Sequence, residues 1–108
     1  MLKPEIKKAI MELKNKIQER FDPDAEIILF GSAARDESTG ASDIDLLIIV
    51  SGELTNSIEE SIFSDAYDIE LGNGVVFGIV VYSREFWDSP LASAMPLYQN
   101  IAREGIRV

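Results

Sequence analysis

Asp43 and Asp45 stand two positions apart at the head of an apolar run that reaches Val50, and Gly31-Ser32 follows the apolar run just before them. Side chains two apart in a strand project from the same face. Two carboxylates held there repel each other, which raises the proton affinity of at least one and which a shared divalent cation relieves. A cation bound this way also binds triphosphate oxygens, so metal and nucleotide would bind cooperatively. Glycine lets a backbone approach a ligand closely. Successive N–H groups after a strand, with the Ser32 hydroxyl, suit anionic phosphate oxygens. Arg35 lies about one helical turn further on, able to reach a phosphate or to pair with Asp36 or a carboxylate of the site. Ser42 either forms a turn or orients the loop ahead of the aspartates. Taken singly, each feature has a plainer use: a capped turn, a solvated strand end, a tight Gly-Ser bend, a structural ion pair.

The residue types that are missing narrow the chemistry. With no cysteine, disulfides, thiolate nucleophiles and zinc–thiolate sites are ruled out. With no histidine, Ser-His-Asp and Cys-His catalysis, imidazole ligation and a histidine pH switch are ruled out as well. Catalysis falls to carboxylates, hydroxyls, arginine or lysine with a bound metal. Oxygen ligands select a hard cation, Mg²⁺ or Mn²⁺.

A chain of 108 residues reads as one domain, 1–108, able to bury roughly 65% of its unfolded surface. No run of about 18 apolar residues occurs, and the N-terminus lacks the hydrophobic segment of a signal peptide, so the expected location is cytoplasmic. The net charge of −9 is uneven: every lysine (Lys3, Lys7, Lys8, Lys14, Lys16) and Arg20 fall in the first twenty residues. Beyond them only Arg35, Arg84, Arg103 and Arg107 oppose the acids. Nucleic-acid binding by the body of the domain is disfavoured, because phosphate neutralisation drives that affinity. The basic first helix reads first as a solvated face.

The elements that must hold these residues can be read from periodicity. Leu2, Ile6, Ile10, Leu13, Ile17 and Phe21 recur at helical steps, so residues 3–21 form an amphipathic helix, stopped by Asp22-Pro23-Asp24. Glu26–Phe30 reads as a strand, residues 32–36 as a short helix, and 37–42 as a loop. Ile44–Val50 is apolar throughout apart from Asp45, as a strand buried on both faces would be. Ile58, Ile62, Phe63, Ala66, Ile69 and, more loosely, Leu71 give a helix over 57–71, ended by Gly72-Asn73-Gly74. Residues 75–82 form a third strand, Ser83 caps a short helix through Trp87, and 91–103 is helical with a break at Pro96. A small strand closes the chain. The fold class is α/β (α+β): a small mixed sheet with helices packed against it. Phe86, Trp87, Leu91, Met95, Leu97 and Tyr98 should mostly pack on that sheet, although exposed members could support an oligomer.

The stretch Gly31-Ser32-Ala33-Ala34-Arg35 followed by Ser42-Asp43-Ile44-Asp45-Leu46 resembles the signature of the polymerase-β-like nucleotidyltransferase superfamily, closest to its minimal single-domain prokaryotic members. That pattern runs Gly-Ser, Ala-Arg-Gly, then Ser-Asp-x-Asp-Leu; Asp36 stands where glycine is common. The resemblance implies that Asp43 and Asp45 hold two Mg²⁺ ions, one on the triphosphate and one activating an acceptor hydroxyl. It implies that the Gly31-Ser32 turn grips the β- and γ-phosphates, and that a nucleotidyl group, AMP from ATP, passes to the acceptor. Active members also supply a third carboxylate from a later strand, yet residues 75–82 contain no acid. Asp65, Asp68, Glu70, Glu85 and Asp88 cannot be assigned that role from spacing. Two functions remain: a nucleotidyltransferase, or a nucleotide-binding regulatory module, the antitoxin-like partner of a helical HEPN-domain protein.

Overall fold

Alternation along one strand divides the molecule into two layers. Ile44, Leu46, Ile48 and Val50 point to one side of the central strand and Leu47 and Ile49 to the other; all six are buried. A strand apolar on both faces needs cover on both. The computed structural model, which describes residues 3–34 and 43–108, supplies it. Leu2, Arg35, Asp36, the 37–42 loop and Ser42 lie outside the described residues.

In chain order the elements are α1 (Pro4–Arg20), β1 (Glu26–Phe30), α2 (Gly31–Ala34), β2 (Ile44–Val50), α3 (Asn56–Asn73), β3 (Phe77–Ser83), α4 (Arg84–Trp87), α5 (Pro90–Ser93), α6 (Pro96–Glu104) and β4 (Ile106–Arg107). The sheet order is β3-β2-β1-β4. β1 runs antiparallel to β2 and β4, while β2 and β3 run parallel, joined by α3 as a crossover helix. It is the mixed sheet with packed helices that the sequence predicts.

On the first face, Ala9, Ile10, Leu13 and Ile17 of α1 and Ile62, Ala66 and Ile69 of α3 cover Ile27, Leu29, Leu46 and Ile48. Asp65, 5% exposed, ties the two helices: its Oδ1 lies 3.3 Å from the Arg20 guanidinium and 3.8 Å from the Lys16 ammonium. On the second face, Trp87, Ala92 and Ile101 cover Leu47 and Ile49, with Tyr82, Phe86 and Tyr98 around Trp87. Phe86, Trp87, Met95, Leu97 and Tyr98 pack on the sheet as expected, and of the six only Leu91 is exposed.

Local signals act where they stand. Thr55 Oγ1 accepts the Ile58 N–H, Ser83 Oγ the Phe86 N–H and Ser89 Oγ the Ala92 N–H. Pro90 and Pro96 each sit in a first helical turn, so the break expected at Pro96 is the start of α6. Asp22 does more than stop α1. Its carboxylate accepts from Ser51 N–H (2.6 Å), the Ser51 hydroxyl (2.7 Å) and Asp24 N–H (3.0 Å), pinning the α1–β1 turn to the end of β2. Burial works to raise its proton affinity; those three donors outweigh burial and hold the carboxyl below its usual range.

Helix α3 forms where the spacing predicts, but its apolar residues do not share one face. Phe63 and Leu71, read with Ile58, Ile62 and Ile69 as one helical pattern, point outward. Of that pattern, Ile62, Ala66 and Ile69 make the apolar buried face, since one helix side reaches only part of it against the sheet.

Candidate functional site

The second-face row Ile49–Leu47 ends in Asp45, and the strand ladder sets what surrounds that carboxylate. Asp45 pairs with Phe30 on β1 and with Gly78 on β3. Gly31, one residue beyond Phe30, has φ of 73°, a left-handed conformation that side-chain-bearing residues rarely adopt. There the chain turns from β1 into α2 so close to Asp45 that a Cβ on Gly31 would collide with Asp45 Oδ2. On β3, a Cβ on Gly78 would lie 2.9 Å from Asp45 Oδ1, 3.8 Å from Asp43 Cβ and 3.9 Å from Asp43 Oδ2. Glycine therefore borders Asp45 on both sides, Gly31 just past the end of β1 and Gly78 on β3, and both acids border the space over Gly78. Asp43 is exposed and Asp45 half-buried.

Gly31, Ser32, Asp43 and Asp45 thus gather at one end of the sheet, on the face of the aromatic cluster, from two segments of sequence, with Gly78 from a third beside them. Gly31 and Ser32 are half-buried at the bend. Arg35 and Ser42, the other two candidate phosphate-binding residues, lie outside the described residues.

No acid reaches the pair from the third strand, because the residue beside both carboxylates is Gly78. The other acids weighed from the sequence are engaged elsewhere: Asp65 between α1 and α3, Glu70 near the Phe77 N–H (3.4 Å), Asp88 against Arg84 (3.4 Å). Asp68 and Glu85 are exposed. Among the described residues no group of three acids is close enough to hold a metal ion together. Two carboxylates with glycine on either side still suit a hard cation whose remaining positions are filled by water or phosphate oxygens.

Sequence reasoning missed one acid. Glu104, in the last turn of α6, accepts the Gly31 N–H through Oε1 at 3.3 Å. It stands 73 residues away in sequence, and no local spacing connects it to the bend. The same turn of α6 leads to Gly105, whose missing Cβ allows close packing on Ile101 and Ile28.

No curated protein matches this chain. In fold it is similar to a chain in the crystal structure of the toxin-antitoxin MntA-HpeT mutant, with a TM-score of 0.59 and 21% sequence identity, over 100% of this chain and 72% of that one. The family model for the nucleotidyltransferase domain matches residues 10–91, a span that contains the Gly31 bend, both aspartates and Gly78. The Gly-Ser and Ser-Asp-x-Asp-Leu pattern, the meeting of Gly31, Asp43 and Asp45 at one end of a mixed sheet and this match agree: the chain belongs to the nucleotidyltransferase domain family.

Proposed function

We propose that this chain, acting as one 1–108 domain in the cytoplasm, transfers a nucleoside monophosphate, AMP from ATP, to a hydroxyl acceptor. The observation that carries the reading is that Asp43 and Asp45 both border the space over Gly78, with Asp45 against the Gly31 bend. Asp43 and Asp45 would hold Mg²⁺ or Mn²⁺, and the bound cation supplies charge neutralisation of the triphosphate and eases loss of the acceptor's proton. The Gly31-Ser32 bend, with Arg35 and Ser42, would bind the phosphates and hold the α-phosphorus over the two acids. The acceptor oxygen bonds to the α-phosphorus as the bridging P–O bond breaks. Pyrophosphate leaves with that electron pair, and the hydroxyl proton passes to solvent.

Gly78 supports a second reading. With glycine in the place beside both acids, a second cation would be held weakly and transfer would be slow, while nucleotide binding survives. The chain would then be a nucleotide-binding regulatory module, the antitoxin-like partner of a HEPN-domain protein. The toxin-antitoxin description of the similar structure favours a protein partner of that kind.

Labelled nucleotide transfer with Mg²⁺, comparing wild type with Asp43→Ala, separates the two. Transfer lost in the variant supports the enzyme. Nucleotide binding without transfer to any candidate acceptor supports the regulatory module. If Mg²⁺–ATP neither binds nor shifts the melting temperature, both readings fail.

A further inference from the structure

Helix α3 carries a second apolar stripe that its own domain does not use. Ile62, Ala66 and Ile69 satisfy the sheet-facing side. Phe63, Tyr67 and Leu71 recur every four residues on the opposite side and are 40%, 60% and 68% exposed. They form a row about 12 Å long, since each residue advances about 1.5 Å along a helix. A surface helix normally turns polar residues to water. Large apolar groups lined up in solvent mark a surface that another molecule covers.

The chemistry around the stripe says what kind of molecule. Glu60 and Asp68 share the exposed side, and Glu59 and Glu70 flank it half-buried. From residue 36 to residue 83 the sequence has no lysine or arginine, so nothing local on α3 balances these carboxylates. At the N-terminal end of the stripe a groove of about 230 Å³ is lined by Asn56, Glu59, Glu60 and Phe63. It has an apolar wall and an acidic rim, the setting that receives the aliphatic stem of a lysine or arginine with its charge at the edge. A second copy of the chain meeting it α3 to α3 would set Glu60 and Asp68 against themselves, which like-charge repulsion opposes.

We propose that the outer face of α3 is a docking surface for an amphipathic helix of another protein, one whose apolar row is flanked by lysine or arginine. The apolar row covers Phe63, Tyr67 and Leu71, while the basic flanks meet Glu59, Glu60 and Asp68. The stripe is carried by α3 and the two acids by the start of β2, so this assignment stands whether or not nucleotide transfer does.

The test uses the full chain and synthetic helical peptides of about five turns, each with one leucine row. One is flanked by lysines, the other by glutamates. Binding is followed by backbone amide shifts in the isotope-labelled protein, at low and high salt. The lysine-flanked peptide should bind with shifts centred on the outer face of α3, weakening as salt rises. Replacing Phe63, Tyr67 and Leu71 with glutamine should weaken it at least about tenfold with melting temperature unchanged. Glu60→Lys with Asp68→Lys should reverse the preference toward the glutamate-flanked peptide, and this pair carries the test if the triple variant does not fold. Equal affinity for wild type and both variants, or shifts centred elsewhere, overturns the proposal. So does a wild-type dimer that the triple glutamine variant abolishes, since a second copy would then be the occupant.

Discussion

On the α1–α3 face of the sheet, Ile27, Leu29, Leu46 and Ile48 are wholly buried and the apolar row continues to Ile44 at the strand's start. On the opposite face, β2 buries Leu47 and Ile49 under Trp87, Ala92 and Ile101, and then the row gives way to Asp45 and Asp43. The first face extends its core to the end of β2; the second stops one residue pair short and leaves two carboxylates between glycines. A site can be destabilised locally in this way because the other face already anchors the strand. On the proposed function, chemistry falls to one side of this seven-residue strand while the other side serves the core alone.

Substitutions on the two faces should therefore separate activity from stability. The largest effect is expected from Asp43→Ala or Asp45→Ala, which should lower nucleotidyl transfer by about a thousandfold or more while the fold persists; a labelled-transfer assay beside a thermal melt reads both. Leu46→Ala, one residue from Asp45 but on the other face, should cost about 3 kcal/mol of stability by denaturant unfolding. Its melting midpoint should fall without any change in nucleotide affinity below that midpoint. Equal behaviour of Leu46→Ala and Asp45→Ala in both assays would erase the division.

Asp22 sharpens the structural side. Asp22→Ala removes the acceptor for three donors and should cost about 1–2 kcal/mol at neutral pH. The carboxyl binds its proton less readily folded than unfolded. Its contribution is thus complete above the ordinary carboxylate range and is lost as pH falls through the lowered folded value. Wild type and Asp22→Asn should converge in stability in that acidic window; parallel pH curves would refute the linkage.

At the site end, Glu104→Gln keeps an oxygen acceptor for the Gly31 N–H but removes a negative charge beside the proposed phosphate bend. Triphosphate with Mg²⁺ should bind about threefold tighter by calorimetry, and unchanged or weaker binding would show that Glu104 does not compete there. The smallest effect belongs to Asp65→Leu. Lys16 and Arg20 are partly exposed and regain water when their partner goes, whereas Asp65 is buried with Oδ2 lacking a hydrogen bond. Chemical unfolding should find this variant unchanged or more stable by about 1 kcal/mol.

Much of the fold can be read locally because its punctuation is local. The Ser83 cap, the left-handed Gly74 closing α3 at φ of 66° and the all-apolar run after Asp45 act within a few residues of where they stand. α3 was harder, since its apolar residues lie on both sides and periodicity alone does not tell which side meets the sheet. At the site, the Gly-Ser and Asp-x-Asp pairs are visible as residue types. The glycine beside them on β3 and the glutamate behind the bend are not, because they arrive from 33 and 73 residues away through strand register and helix packing.

By itself the sequence determined the order of elements, the absence of histidine and cysteine chemistry, the pair of acids on a strand and the family pattern they complete. Each depends on residue identity and short spacing. Tertiary structure alone decided that Gly78 rather than an acid stands beside the pair, that Glu104 reaches Gly31, and that Phe63, Tyr67 and Leu71 face water. Those outcomes follow from which strands pair in which register and which side of a helix the sheet can cover, and both depend on contacts between residues far apart in the chain.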